Sequence, residues 1–463
     1  MDRTAWARRI LAVATLVGVL CTTGCATIVI GRPSSLQPSP ADVPAGDVKI
    51  VGATNDPVDD LARNALADLQ DYWSSTFPDV FGRQFKPLSG GYFSVDPGNV
   101  DPQQYPGGVG CGAQPLDAEN NAFYCEAPKT AHSDAITYDR AFLAELADQF
   151  GRFIPSLVMA HEFGHAVQAR VGSPQSSIAV ETQADCFAGT WTRWVADGKA
   201  KHSRLRAPEL DELLRGYLKL RDPIGTGTAA QSAHGSYFDR VSAFQEGFDN
   251  GAEACRDHFG PDRVFTQGRF RDNAEALSGG NAGYDELWGI IEKSLPTVWS
   301  QAFSDEFHKD FTKPSIDRFP GDAPACADDP DQQLVYCGSD KVVGIDENEL
   351  AMPVYNDVGD FAVATAVAIP YSLSVRDQLG LSTDDDAALR SAVCLTGWYG
   401  AKVYQGQAGA AISPGDIDES VQFLLTYGRD PKVLPNAGLS GFQLVDLFRN
   451  GFLGGLKACD VGL

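Results

Sequence analysis

Basic residues are scarce in this chain of 463 residues: 37 Lys and Arg stand against 61 Asp and Glu, a formal net charge of −24 at pH 7. A surface of that sign is repelled by phosphate backbones and anionic headgroups, so no nucleic-acid partner is expected and any polymer it binds should be protein. Long apolar runs are missing beyond the first residues, and no later segment can span a bilayer as a helix. Histidine is rare as well, 7 in all, which gives weight to any place where two of them stand together. What is plentiful argues against an all-helical chain, with 47 Gly and 27 Pro in a length with room for two or three domains; together with the helix and strand signals below, the expected fold class is α+β.

The N-terminus reads as an address rather than as part of a core. Arg3, Arg8 and Arg9 precede an apolar run from Ile10 to Leu20, followed by Thr22-Thr23-Gly24-Cys25. A charged segment, a short apolar segment and small residues make a signal peptide over 1–24. A Cys just after such a site is the lipidation position of a lipoprotein, so Cys25 is expected to anchor the protein at the outer face of the cytoplasmic membrane. Thr22 stands where Leu is usual, which leaves cleavage at a non-lipid site open; either route exports the chain. Cleavage removes three Arg and one Asp and moves the formal charge from −24 to −26. Residues 25–55 carry Pro33, Pro38, Pro40 and Pro44 among small polar residues and read as a linker.

His161-Glu162-Phe163-Gly164-His165 is the segment around which the chain is organised. Residues four apart share one helix face, so both imidazoles can serve one Zn²⁺ while Glu162 takes the proton of a water on the metal. A catalytic zinc needs a third protein ligand and one open position. The position six residues after His165 is Val171, which excludes the class that places a third His there. Glu181 and Asp185 follow on a second apolar-periodic segment from Ile178 to Val195, again four apart. One carboxylate of this pair can bind metal while the other accepts the free N–H of a ligand imidazole. The alternating stretch Ala135 to Asp139 reads as a strand beside this helix, where an extended substrate could pair along an edge.

The chain also repeats itself. Residues Phe153–Gly172 align without gaps on Phe361–Gly380, and the same offset carries Cys186 onto Cys394 and Gly189 onto Gly397. Upstream, Trp73, Phe77 and Phe81 match Trp299, Phe303 and Phe307; downstream, Phe244, Gly247 and Cys255 match Phe448, Gly451 and Cys459. His161, Glu162, His165, Glu181 and Asp185 fall on Ile369, Pro370, Leu373, Leu389 and Val393, none of which binds metal. The expected organisation is a domain over 56–270 and a degenerate copy over 283–463 that lacks the metal site; should the two share an interface, the chain is an intramolecular pseudo-dimer. Matching cysteines predict disulfides Cys111–Cys125, Cys186–Cys255, Cys326–Cys337 and Cys394–Cys459, in keeping with an oxidising compartment. Polar residues kept only in the first half are candidates for function. His234, which falls on Gly438, is the expected stabiliser of a developing oxyanion, with Tyr237 in reserve. His132, His202, His258 and His308 read as surface or satisfied histidines.

The ordered motifs from Trp73 through Cys111-Gly112, Phe123-Tyr124-Cys125, His161 to Gln168, Glu181 to Gly189, His234-Gly235 and Phe244 to Cys255 resemble the neutral zinc metallopeptidases of bacterial envelopes, a gluzincin-like group. The resemblance covers about residues 58–256. It implies a zincin-like fold, one Zn²⁺ per chain, Glu181 as third ligand and Glu162 as general base, acting on a protein or peptide substrate. The rival expectation is a non-catalytic envelope binding or assembly protein with structural zinc, whose degenerate copy is the interaction surface. A fourth protein ligand would favour that rival, because structural zinc sites are closed.

Overall fold

The first helix, α1 (Pro57–Phe81), is 25 residues long and begins where it does because Asp56 accepts the Val58 N–H and Pro57 needs no donor in the first turn. The computed structural model describes residues 42–463 except 436 and 437. The expected signal peptide over 1–24, the expected lipidation site Cys25 and most of the expected linker lie outside the described residues. The linker expected to reach residue 55 ends earlier. Residues 42–55 pack on the domain: Ala45 N–H donates to Asn64, Asp42 pairs with Arg152, and Val51 bridges to Phe93. Proline content could not reveal this, since backbone groups next to proline still find partners on a neighbouring surface.

After α1 come β1 (Gly91–Val95), β2 (Ala122–Cys125), β3 (Ala135–Asp139), α2 (Arg140–Phe150), α3 (Ile154–Val171), α4 (Ser177–Ala196), α5 (Glu209–Leu220) and α6 (Tyr237–Asp257). The short α7 (Asn273–Leu277) leads to α8 (Tyr284–Ala302), β4 (Ser315–Phe319), β5 (Leu334–Cys337), β6 (Val342–Asp346), α9 (Met352–Asp357), α10 (Asp360–Leu379), α11 (Asp386–Tyr404), α12 (Asp416–Thr426) and α13 (Gly441–Gly454). The fold is mixed α+β, with two small sheets among many helices. Both sheets have one pattern: β1-β3-β2 and β4-β6-β5, with the first pair parallel and the second antiparallel.

The strand expected to offer its edge is the middle one. β3 pairs with β1 on one side and β2 on the other and is buried throughout, so its hydrogen-bonding groups are already taken. The edge beside α3 belongs to β2. Alternation located the strand but could not rank it in the sheet, because a central and an edge strand share the same period.

Close helix approaches are made by glycines. A Cβ on Gly247 would collide with the Cys186 carbonyl and one on Gly189 with the Phe244 carbonyl, so α4 and α6 meet backbone to backbone. Gly451 and Gly397 make the same approach between α11 and α13 against Cys394 and Phe448. Four disulfides join the predicted pairs; Cys186–Cys255 staples α4 to α6, and Cys394–Cys459 ties α11 to the turn that follows α13.

One core runs through both halves of the chain. Its seam is reciprocal. Asp211 of α5 accepts the Gly441 and Phe442 N–H groups that begin α13, at 3.0 and 2.8 Å, and Asp418 of α12 accepts those of Tyr237 and Phe238 that begin α6, at 3.1 and 2.8 Å. Arg429 pairs with Asp211 and Arg221 with Asp418. Phe442 packs on Phe248 with ring centroids 5.0 Å apart, and Phe238 on Phe452 at 4.8 Å. Residues 271–282, outside both expected domains, also pack on the second half: Asp360 accepts the Ala282 N–H and donates its own to Asn281.

Candidate metal centre

α3 and α4 cross where Gly164 meets Ala184; a Cβ on Gly164 would stand 2.9 Å from the Ala184 Cα. The crossing brings Glu181 and Asp185 of α4 over His161 and His165 of α3. The Nε2 atoms of the two histidines are 3.2 Å apart, and Glu181 Oε2 is 3.3 Å from one and 3.5 Å from the other. Ligands about 2.0–2.1 Å from a tetrahedral zinc are separated by about 3.3–3.4 Å, so this triangle has the dimensions of three corners of such a site. Among the described residues no fourth His, Cys, Asp or Glu joins the group. Two nitrogens and one carboxylate oxygen with a position left open are the donor set that suits catalytic zinc.

Each of the two imidazoles is held by a second residue. His161 Nδ1–H donates to Asp185 Oδ1 at 2.8 Å, and His165 Nδ1–H to Gln168 Oε1 at 2.8 Å, which turns both Nε2 lone pairs to the common point. Gln168 in turn donates to the Val180 carbonyl and to Gln183, tying α3 to α4. Asp185 is fully buried, and Arg240 of α6 grips it with two bonds of 2.8 and 2.9 Å.

Charge is balanced within this group. Burial alone would push the Asp185 and Glu181 carboxyls up; Arg240 outweighs it at Asp185 and the two imidazoles outweigh it at Glu181, so both lie below the usual range. Burial opposes a charged His161, yet the Asp185 carboxylate overrides it and raises the metal-free ring to about 10. Glu162 is shifted the other way, upward by burial and only partly restrained by the histidines. Its Oε2 accepts the Tyr124 N–H of β2 at 2.7 Å. A carboxyl so placed takes up a proton more readily than a free glutamate does.

These residues line a cavity of about 780 Å³, walled by Phe123 and Tyr124 and reaching Arg221 and His234. His234 is half exposed on that wall, with Nδ1 at 3.0 Å from Asp222 Oδ1 and its N–H on Asp222 Oδ2. Tyr237 is not on the wall: it is buried, and its hydroxyl donates to the Leu214 carbonyl. The remaining histidines are bound elsewhere, His132 to Pro106, His202 to Val43, His258 to Glu246 and His308 to Ser304.

A family model described as "Putative neutral zinc metallopeptidase" matches residues 7–259, more than half of the chain. The chain belongs to that family. Proteins that it is similar to include an uncharacterized protein of Mycobacterium tuberculosis, 29% identical over 192 residues, 35% of this chain and 64% of the relative. The uncharacterized protein YpfJ of Escherichia coli K12 is 29% identical over 213 residues, 40% of this chain and 69% of the relative. The chain thus spans slightly less than two thirds of the mycobacterial relative's length. No solved structure matches.

Arg240, Asp222, Gln168 and the Tyr124 N–H were not picked out from the sequence. Arg240 was within reach, since the spacing that carries Phe244 onto Phe448 carries it onto Leu444, a polar residue confined to the first half. Tyr124 left no such signal, because the group at work is its backbone.

Proposed function

We propose that this chain is an exported, lipid-anchored zinc metalloprotease that hydrolyses peptide bonds with Glu162 as general base. The observation that carries the reading is the 3.2–3.5 Å triangle of His161 Nε2, His165 Nε2 and Glu181 Oε2 with Glu162 beside it. These three atoms would hold the zinc. When bound, zinc supplies a Lewis acid that polarises the substrate carbonyl and makes water acidic near neutral pH.

The protein's own groups do the rest. Glu162, steadied by the Tyr124 N–H, takes the proton from the attacking water and delivers it to the leaving amine. Asp185 and Gln168 keep the imidazole protons on Nδ1. His234, held against Asp222 on the cavity wall, is placed to stabilise the carbonyl oxygen as negative charge develops. The free edge of β2 is where an extended peptide would lie.

In the same reading, the second half is a degenerate copy of the first, joined to it as an intramolecular pseudo-dimer. Matching sheet order, glycine contacts, disulfides and the reciprocal seam support this. The positions of the three ligands and Glu162 hold Ile369, Leu373, Leu389 and Pro370 there, so chemistry belongs to the first half. A closed structural zinc is disfavoured because three donors, and no fourth, converge among the described residues.

The deciding experiment pairs elemental analysis with turnover of an unstructured protein substrate. Glu162→Gln should keep about one zinc per chain and lose about 10²–10⁴-fold in kcat. Zinc binding without turnover in the unaltered chain, or full turnover in Glu162→Gln, refutes the mechanism.

A further inference from the structure

Three carboxylates of the second half are buried against one another. Asp360 begins α10, Asp416 and Glu419 lie in the first turn of α12, and each offers an oxygen within 4.8 Å of the others. They are 8, 5 and 6% exposed. One oxygen of each is held by backbone N–H groups: Asp360 Oδ2 by Ala282, Asp416 Oδ2 by Ser413, and Glu419 Oε2 by Phe361 and Ala362. The other oxygen of Asp360, Oδ1, is buried with no hydrogen-bond partner. An acceptor left so is costly, and a cluster of three anions more so.

Cations nearby do not relieve it. Asp360 and Asp416 line a cavity of about 840 Å³ that shares no residue with the metal centre. Arg271 on its wall is paired with Glu275 at 2.9 Å, and Lys293 makes no ion pair with the three among the described residues.

The equivalent place in the first half shows what is missing. Glu209-Leu-Asp-Glu212 begins α5 as Asp416-Ile-Asp-Glu419 begins α12, and the offset that aligns α3 with α10 carries Arg152 onto Asp360. Arg152 Nε is 2.9 Å from Glu209 Oε1. Gly151 and Gly359, at φ 95° and 148°, let the chain approach the carboxylates of Glu212 and Glu419 alike. Exchanging the guanidinium for a carboxylate makes the second group more negative by two charges, the charge of a divalent cation.

We propose that Asp360, Asp416 and Glu419 bind a hard divalent cation, Ca²⁺, which takes the place that Arg152 fills in the first half. Carboxylate oxygens alone are donors for Ca²⁺ rather than for zinc or copper, and water from the adjoining cavity completes its shell of 6–8 oxygens. This cation site stands whether or not the first half is a peptidase.

The test is a calorimetric titration of the zinc-loaded full chain with Ca²⁺ at about pH 7.5 and physiological salt. One saturable site with Kd of about 10⁻⁵–10⁻³ M and a Tm that rises with Ca²⁺ are expected. Asp416→Asn and Glu419→Gln should each weaken binding about tenfold or more. Asp360→Arg, which copies the first half, should fold, bind no Ca²⁺ and have a Tm indifferent to it. His161→Ala should bind Ca²⁺ as the parent does, so failure of the zinc reading leaves this result standing. Absence of saturable binding up to about 10 mM, or binding untouched by all three carboxylate substitutions, overturns the proposal. So does a parent Tm that rises on acidification but not with Ca²⁺, for then the cluster holds protons instead.

Discussion

Asp185 serves two partners at once, the His161 imidazole and the Arg240 guanidinium, with no contact to water. Removing it in Asp185→Ala leaves Arg240 charged and buried without its anion, a loss of about 3–5 kcal/mol expected in urea unfolding. The same variant frees the His161 ring and should weaken zinc binding about 10–100-fold. His161 makes a further prediction for the metal-free chain. Its folded pKa is raised from an ordinary 6.5 to about 10, so its contribution to stability is full below 6.5 and is lost as pH rises through about 10. Zinc requires the neutral ring and reverses that slope. Tm against pH, with and without chelator, should therefore fall between about pH 6.5 and 10 only in the metal-free chain; parallel curves would show that His161 is not a ligand. Residue chemistry of this kind was legible early for His161, Glu162, His165, Glu181 and Asp185, since spacing of four on a helix puts such groups on one face. Arg240 and Asp222 were not singled out, because each acts from a helix or loop far along the chain.

Helix pairs carry the site, and glycines set their separation. Gly164 lets α4 close on α3, and Gly189 with Gly247 locks α4 to α6, which is how Arg240 arrives beside Asp185. Gly247→Ala places a methyl against the Cys186 carbonyl, and Gly451→Ala does so against Cys394; neither contact can open without parting a stapled helix pair. Each should cost about 1–3 kcal/mol. Gly260→Ala, with open space around its Cβ, should change stability by less than about 0.5 kcal/mol. Denaturant midpoints decide between them, and equal effects at all three positions would dismiss the packing argument. The strand elements show the limit of pattern reading: the 135–139 strand was found, yet its central rank and the edge role of β2 depend on which neighbours pair with it.

Across the whole molecule, the two halves share a core and exchange helix caps, Asp211 to α13 and Asp418 to α6. Deleting 283–463 would bare Phe238, Phe244 and Phe248 and leave the α6 N-terminus without Asp418. The shortened chain is expected to lose cooperative thermal unfolding and protected amides; a sharp transition with one zinc retained would mean that the halves are independent. From the sequence alone came the His-Glu-x-x-His motif, the cysteine partners and the inner likeness of the halves, because each is written in spacing along the chain. Tertiary structure alone decided that α4 delivers its carboxylates onto the histidines, that β2 forms the edge beside Glu162, and that three acids of the second half are buried together. Those facts arise from contacts between residues distant in sequence, whose meeting is set by how closely helices pack and not by their local period.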